Sequence, residues 1–127
     1  MNVGNLNYCK KIYIYDSILR DGAQGEGISF TLRDKMNLTM KLDDLGIDYI
    51  EAGNPGSNPK DMEYFAKIRK VKLKNSRLVA FGSTRRVNTA IYEDDNILSL
   101  LRAETPAIAI FGKSWDFHVN NIIRTTL

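Results

Sequence analysis

The chain has 127 residues, 43% hydrophobic and 26% charged, a usage that supports one packed domain or part of one. Its 18 basic and 15 acidic residues leave a net charge of +3 and are interspersed; the Arg pair in Ser83–Val87 has no flanking stacking aromatics, so no nucleic-acid partner is expected. No apolar run is long enough for a membrane-spanning helix, and the polar start "MNVGNLNYCKK" does not read as a signal peptide. Cys9 stands alone, which excludes an internal disulfide and fits a reducing cytoplasm.

From Lys11 to Leu19 the stretch "KIYIYDSIL" is rich in β-branched and aromatic residues and predicts a strand. "TLRDKMNLTMKLDDLG" predicts a helix. Thr31 and Asp34 form its cap, Leu38, Leu42 and Leu45 lie on one face, and Gly46 stops it. A second strand follows at Ile47–Gly53. The second helix takes Asn58 as cap, Pro59 at its first position and Asp61 in its first turn. Arg77–Gly82 predicts a third strand, covered on both faces. "EDDNILSLLRAE" predicts a helix buried through Ile97, Leu98 and Leu101. Pro106–Gly112 predicts a fourth strand. A last helix is expected from near Ser114, with Val119, Ile122 and Ile123 on its apolar face.

The alternation βαβαβαβα predicts an α/β fold with a parallel sheet and helical crossovers. Helix-to-strand links are tight, whereas the strand-to-helix links are longer and carry glycine: "RDGAQGEGIS", "AGNPGSNP", "GSTRRVN" and "GKSWDFH". All of these leave the carboxyl ends of strands, where parallel α/β folds bind ligands. A small doubly wound sheet fits, and so does part of a (β/α)8 barrel. The final "NNIIRTTL" has neither a cap nor a polar tail, which favours the barrel. The expectation is an N-terminal tail over residues 1–10 and the first half of a barrel, about four βα units, over residues 11–127.

Arg20 and Asp21 end the first predicted strand, with Gly22 and Gln24 beside them. An Asp-Gly pair is ordinarily a turn. The alternative is a carboxylate that binds a divalent metal beside a guanidinium that neutralises a substrate oxygen. Neighbouring strand residues point to opposite faces, so both side chains share one pocket only if the strand bends there, which Gly22 permits. Glu51 ends the second strand and, if buried, needs a cation or donor; Arg20 is at the right level. "GAQGEG" matches neither dinucleotide nor P-loop patterns. "GSTRR" could hold an anion at a helix N-terminus or be an exposed basic loop. His118, the only histidine, reads as structural or as a pocket edge, and Trp115 and Phe117 as packing residues.

At these residues the chain resembles the metal-dependent acyl-CoA condensing enzymes and lyases built on a (β/α)8 barrel. Isopropylmalate, homocitrate and citramalate synthases and hydroxymethylglutaryl-CoA lyase belong to that family. "DSILRDGAQGEGISFTLRDK" is similar to its strand-one signature, with Ser17 and Ile18 where two threonines are common and Ala23 in a place often held by Glu. "YIEAGNPGSNPKD", "VAFGSTRR" and "IFGKSWDFHV" resemble the citramalate branch. The resemblance implies that Asp21 ligates a divalent metal (Mg, Mn or Zn) and that Arg20 stabilises developing oxygen charge. It implies that Gln24 helps hold substrate and that Glu51 serves the substrate site by orienting Arg20. The implied reaction joins acetyl-CoA to pyruvate, giving citramalate and CoA for isoleucine synthesis; an isopropylmalate or homocitrate synthase-like enzyme or an acyl-CoA lyase with a different 2-oxoacid is the alternative. A homodimeric parent, with small-molecule substrates and no membrane partner, goes with it. The family's second-half His-x-His metal pair has no counterpart here. The chain is therefore expected to be inactive alone, and open barrel edges would favour self-association. A different class of reading is a stand-alone βα module that binds a metabolite or a partner chain.

Overall fold

The structure is a computed structural model that describes residues 10–126; Cys9 lies outside them. Four strands, β1 (Tyr15–Asp16), β2 (Tyr49–Gly53), β3 (Arg77–Ser83) and β4 (Ala107–Phe111), alternate with three helices, α1 (Leu32–Leu45), α2 (Pro59–Ile68) and α3 (Asp95–Arg102). The strands are parallel, and their order in the sheet is β1-β2-β3-β4. A doubly wound sheet reverses direction at a switch point. Here spatial order equals chain order, so successive right-handed crossovers place the helices on one face. That is the arrangement of a sector of a (β/α)8 barrel.

Local chemistry fixes the helix ends. The Thr31 hydroxyl accepts from Asp34 N at 3.2 Å while the Asp34 carboxylate accepts from Thr31 N at 2.9 Å. Gly46 closes α1 with φ 85°, a left-handed value that suits glycine. Asn58 caps α2 ahead of Pro59. Asp94 caps α3 by accepting from the backbone of Asn96 and Ile97. The core lies between sheet and helices. Ile50 and Ala52 of β2 and Leu78 and Ala80 of β3 meet Tyr64, Phe65 and Ile68 of α2 and Leu100 of α3. The alternate residues Tyr49, Glu51, Val79 and Phe81 face the other side of the sheet.

Five expectations need correction. The first strand pairs only over Tyr15–Asp16, because the Ser17 carbonyl accepts from the backbone of Arg20, Asp21 and Gly22 and folds Leu19 into a turn. On α1, Leu45 is 75% exposed, and the fully inward stripe is polar: Lys35, Thr39 and Asp43. On α3, Leu101 is exposed and Leu100 is buried, since Asn96 and Leu100 are the residues that close over Gly82 of β3. The last helix is a single wide π-helical turn, His118–Ile123, with Val119 buried. Trp115 and Phe117 precede it, exposed, their rings tilted 36° against each other rather than packed in a core.

Asp43 ties α1 to the segment that enters β3. Its carboxylate accepts from the backbone N–H of Lys74 (2.8 Å), Asn75 (2.8 Å) and Ser76 (2.7 Å). Burial alone would raise its carboxyl, but the three backbone donors win and hold it below the usual aspartate range. A depressed folded-state value contributes stability above the unfolded value, about 3.9, and that stability is lost as pH falls through the folded one. Asp43→Asn sets an amide group against three donors. It should cost about 1–3 kcal/mol at pH 7 and flatten the acid loss of stability. Urea unfolding across a pH series measures this; an unchanged acid limb in the variant counts against it.

Candidate active site

The turn after β1 answers the problem of neighbouring side chains pointing apart. Ser17 O accepts from Arg20 N (3.1 Å), Asp21 N (2.7 Å) and Gly22 N (3.2 Å), and one 3-10 turn, Gly22–Gln24, follows. Arg20 and Asp21 thus sit on a tight curve at the carboxyl end of the sheet, where both can face inward. The Arg20 Nη1 donates to Asp21 Oδ1 at 2.8 Å, and its Nε donates to Glu51 Oε1. The Tyr15 hydroxyl donates to Glu51 Oε2 at 2.5 Å. The guanidinium carbon lies 4.2 Å from the centre of the Phe81 ring. Residues from three adjacent strands, or from the turn that ends one, therefore hold one guanidinium.

Burial grades across this cluster. The Glu51 side chain is 4% exposed, Arg20 22% and Asp21 62%. Glu51 has the cation and the donor that its burial demands. Desolvation first, then the hydrogen bond to Glu51 and its charge, pushes the Tyr15 hydroxyl well above its ordinary pKa. At neutral pH it stays a protonated donor. Arg20 presents its remaining nitrogen, Nη2, with no protein partner among the described residues.

Beside Arg20 a cavity of about 280 Å³ opens between the turn after β1 and the loop after β2; Gln24, Lys35, Asn54, Asp61 and Phe81 also line it. Gln24 is exposed at its rim and does not join the Arg20–Glu51 contact. At the cavity wall Lys35 Nζ donates to Asp61 Oδ1 at 2.5 Å, and Asp61 Oδ2 accepts from Asn54 N at 2.8 Å. Both side chains of that pair are buried. A Cβ on Gly53 would run into the Asp61 carboxylate, so glycine is what lets the chain pass there.

Sequence reading missed four contributors: Tyr15, Phe81, Lys35 and Asp61. For Tyr15 a signal existed, since parallel pairing of the first two strands sets it on the same face as Glu51. Lys35 and Asp61 lie on different helices, and no local pattern pairs them. His118 packs edge-on against Trp115, with ring centres 4.9 Å apart, and contacts none of Arg20, Asp21 or Glu51. The "GSTRR" loop leaves the N-terminus of α3 to Asp94, so of the two readings of that loop the helix-end anion is replaced by the chain's own carboxylate. Among the described residues no three His, Cys, Asp or Glu side chains converge to hold a metal ion, and Asp21 offers one exposed carboxylate. No helix among them is long and apolar enough to cross a membrane.

Comparison with known proteins adds an independent observation. The HMGL-like family model matches residues 11–127. The (R)-citramalate synthase of Aquifex aeolicus is 56% identical over 118 residues, covering 93% of this chain and 22% of that protein. The (R)-citramalate synthase of Geobacter sulfurreducens is 49% identical over 116 residues, covering 91% and 22%. A 2-isopropylmalate synthase of Listeria innocua is 37% identical over 110 residues, covering 87% and 20%. The chain thus spans about a fifth of the length of the curated relatives it matches.

Proposed function

The chain belongs to the HMGL-like family, and on that premise we propose that it forms the strand-one and strand-two corner of an (R)-citramalate synthase, an acyltransferase joining acetyl-CoA to pyruvate. The observation that carries this reading is the fixed Arg20 fork, together with an identity over most of the chain that is higher to the citramalate synthases than to the isopropylmalate synthase matched as widely. Glu51 and Asp21 each take one nitrogen of Arg20, and Phe81 stacks beneath it. The free edge is thereby pre-aimed, and reorganisation is avoided when charge develops on a substrate oxygen. Tyr15 keeps Glu51 in place, and Gln24 lies where the loop would touch substrate. Asp21 would offer one ligand to a divalent metal. The described residues supply no closed donor set, so this chain by itself does not fit such an ion. Arg20 acts as a charge stabiliser independently of it.

The test is a transplant. The 118 aligned residues of the Aquifex aeolicus enzyme are replaced by their counterparts from this chain. The chimera is expected to release thiol and form citramalate from pyruvate and acetyl-CoA. The 127-residue chain alone is expected to show no thiol release above its Asp21→Asn variant. A folded chimera that ignores pyruvate would sink the reading; use of 2-oxoisovalerate instead would move it to an isopropylmalate synthase.

A further inference from the structure

A second cavity, of about 310 Å³, lies at the carboxyl ends of β3 and β4, and Thr84, Arg85, Arg86 and Lys113 line part of it. None of these three cations is in an ion pair among the described residues, where the pairs use Arg20, Lys35, Lys67, Arg69 and Lys74. Asp94, the cap of α3, is already engaged by backbone N–H groups, including Arg86 N at 2.7 Å. That bond fixes the basic loop against α3. Arg85 Nη1 donates to the Thr89 carbonyl, which leaves its other donors available. Just beyond Lys113 stands Trp115, 60% exposed, with its ring centre 5.1 Å from that of Phe117. Cations outside any ion pair, near an exposed aromatic pair, suit a phosphorylated ligand that also carries a flat ring.

Glu51 pairs with Val79, and Ser83 lies four residues further along β3, roughly 13 Å at about 3.3 Å per residue. The basic cavity is thus set outward from Arg20, on the same end of the sheet. We propose that the loops after β3 and β4 bind the nucleotide end of a CoA thioester, Arg85, Arg86 and Lys113 taking its phosphates and Trp115 its adenine. The pantetheine arm then spans the gap to Arg20. This rests on the acyl-CoA reading above.

Trp115 is the only tryptophan, so its fluorescence reports on the site. The chain is titrated with coenzyme A, adenosine 3′,5′-bisphosphate, pantetheine and inorganic pyrophosphate. A saturable change is expected with the first two and none with pantetheine. The triple variant R85Q/R86Q/K113Q should weaken the bisphosphate by at least about tenfold. By calorimetry, Trp115→Ala should weaken the bisphosphate by at least about fivefold and leave pyrophosphate unchanged. Equal binding by the triple variant, or no response to the bisphosphate, overturns the site. A chimera that makes citramalate while the bisphosphate fails to bind would defeat this site and spare the activity. Binding with a silent chimera would do the reverse.

Discussion

Arg20→Ala in the citramalate-synthase chimera is expected to lower kcat/KM by about 100-fold or more, the scale for losing one preorganised oxyanion donor. The side chain is held on two sides, by Glu51 through Nε and by Asp21 through Nη1, and rests on Phe81. Little of its geometry is left to chance. Alanine also strands Glu51, 4% exposed, with Tyr15 as its remaining donor, so the variant loses stability as well. Arg20→Lys separates the two effects. An ammonium keeps the charge near Glu51 but cannot serve Glu51, Asp21 and a substrate oxygen with a planar fork. It should melt close to the parent while turnover stays low. Parental kcat/KM in the lysine variant would show that a point charge suffices and that the fork has no role.

The largest stability effect is expected at Lys35. Its Nζ and the Asp61 carboxylate form a buried pair between α1 and α2, with Asn54 N as the further donor to Asp61. Lys35→Met leaves a buried carboxylate without its cation and should cost about 3–5 kcal/mol in urea unfolding. Replacing both partners, K35M with D61L, removes the orphaned charge and should recover most of that loss. The recovered protein would still lack the bond that pins Asn54, so the loop after β2 should bind substrate less well in the chimera. A single Lys35→Met change costing under about 1 kcal/mol would place the pair among exposed ones and refute its structural weight.

What could be read from the sequence was what neighbours along the chain decide. The Thr31–Asp34 cap, the Gly46 stop and the Asn58–Pro59 start are interactions within a few residues, and all three stand as expected. Arg20 and Glu51 were visible as a pair because parallel strands bring their carboxyl ends to one level. The extent of β1 was not visible, because Ile12, Tyr13 and Ile14 have strand composition while pairing ends where the partner strand begins at Tyr49. The buried polar stripe of α1 was not visible either. Lys35, Thr39 and Asp43 find their partners on α2 and before β3, so tertiary contacts give these polar residues the most buried positions while Leu38 and Leu42 pack partly buried against the core. At α3 the Leu100–Leu101 pair carries one hydropathy signal for two directions, and only the approach of Gly82 selects between them.

The sequential strand order also bears on how the chain comes to be folded. After β1, each strand emerges when a neighbour it pairs with has already been synthesised. The loops to be closed are single βα units, which keeps contact order modest for a parallel sheet. β2 and β3, joined through α2 and sharing the buried cluster, form a natural first unit on which the outer strands are laid one at a time. The Arg20–Glu51 contact belongs to the seam between that unit and β1. Its assembly therefore reports that the outer strand has docked.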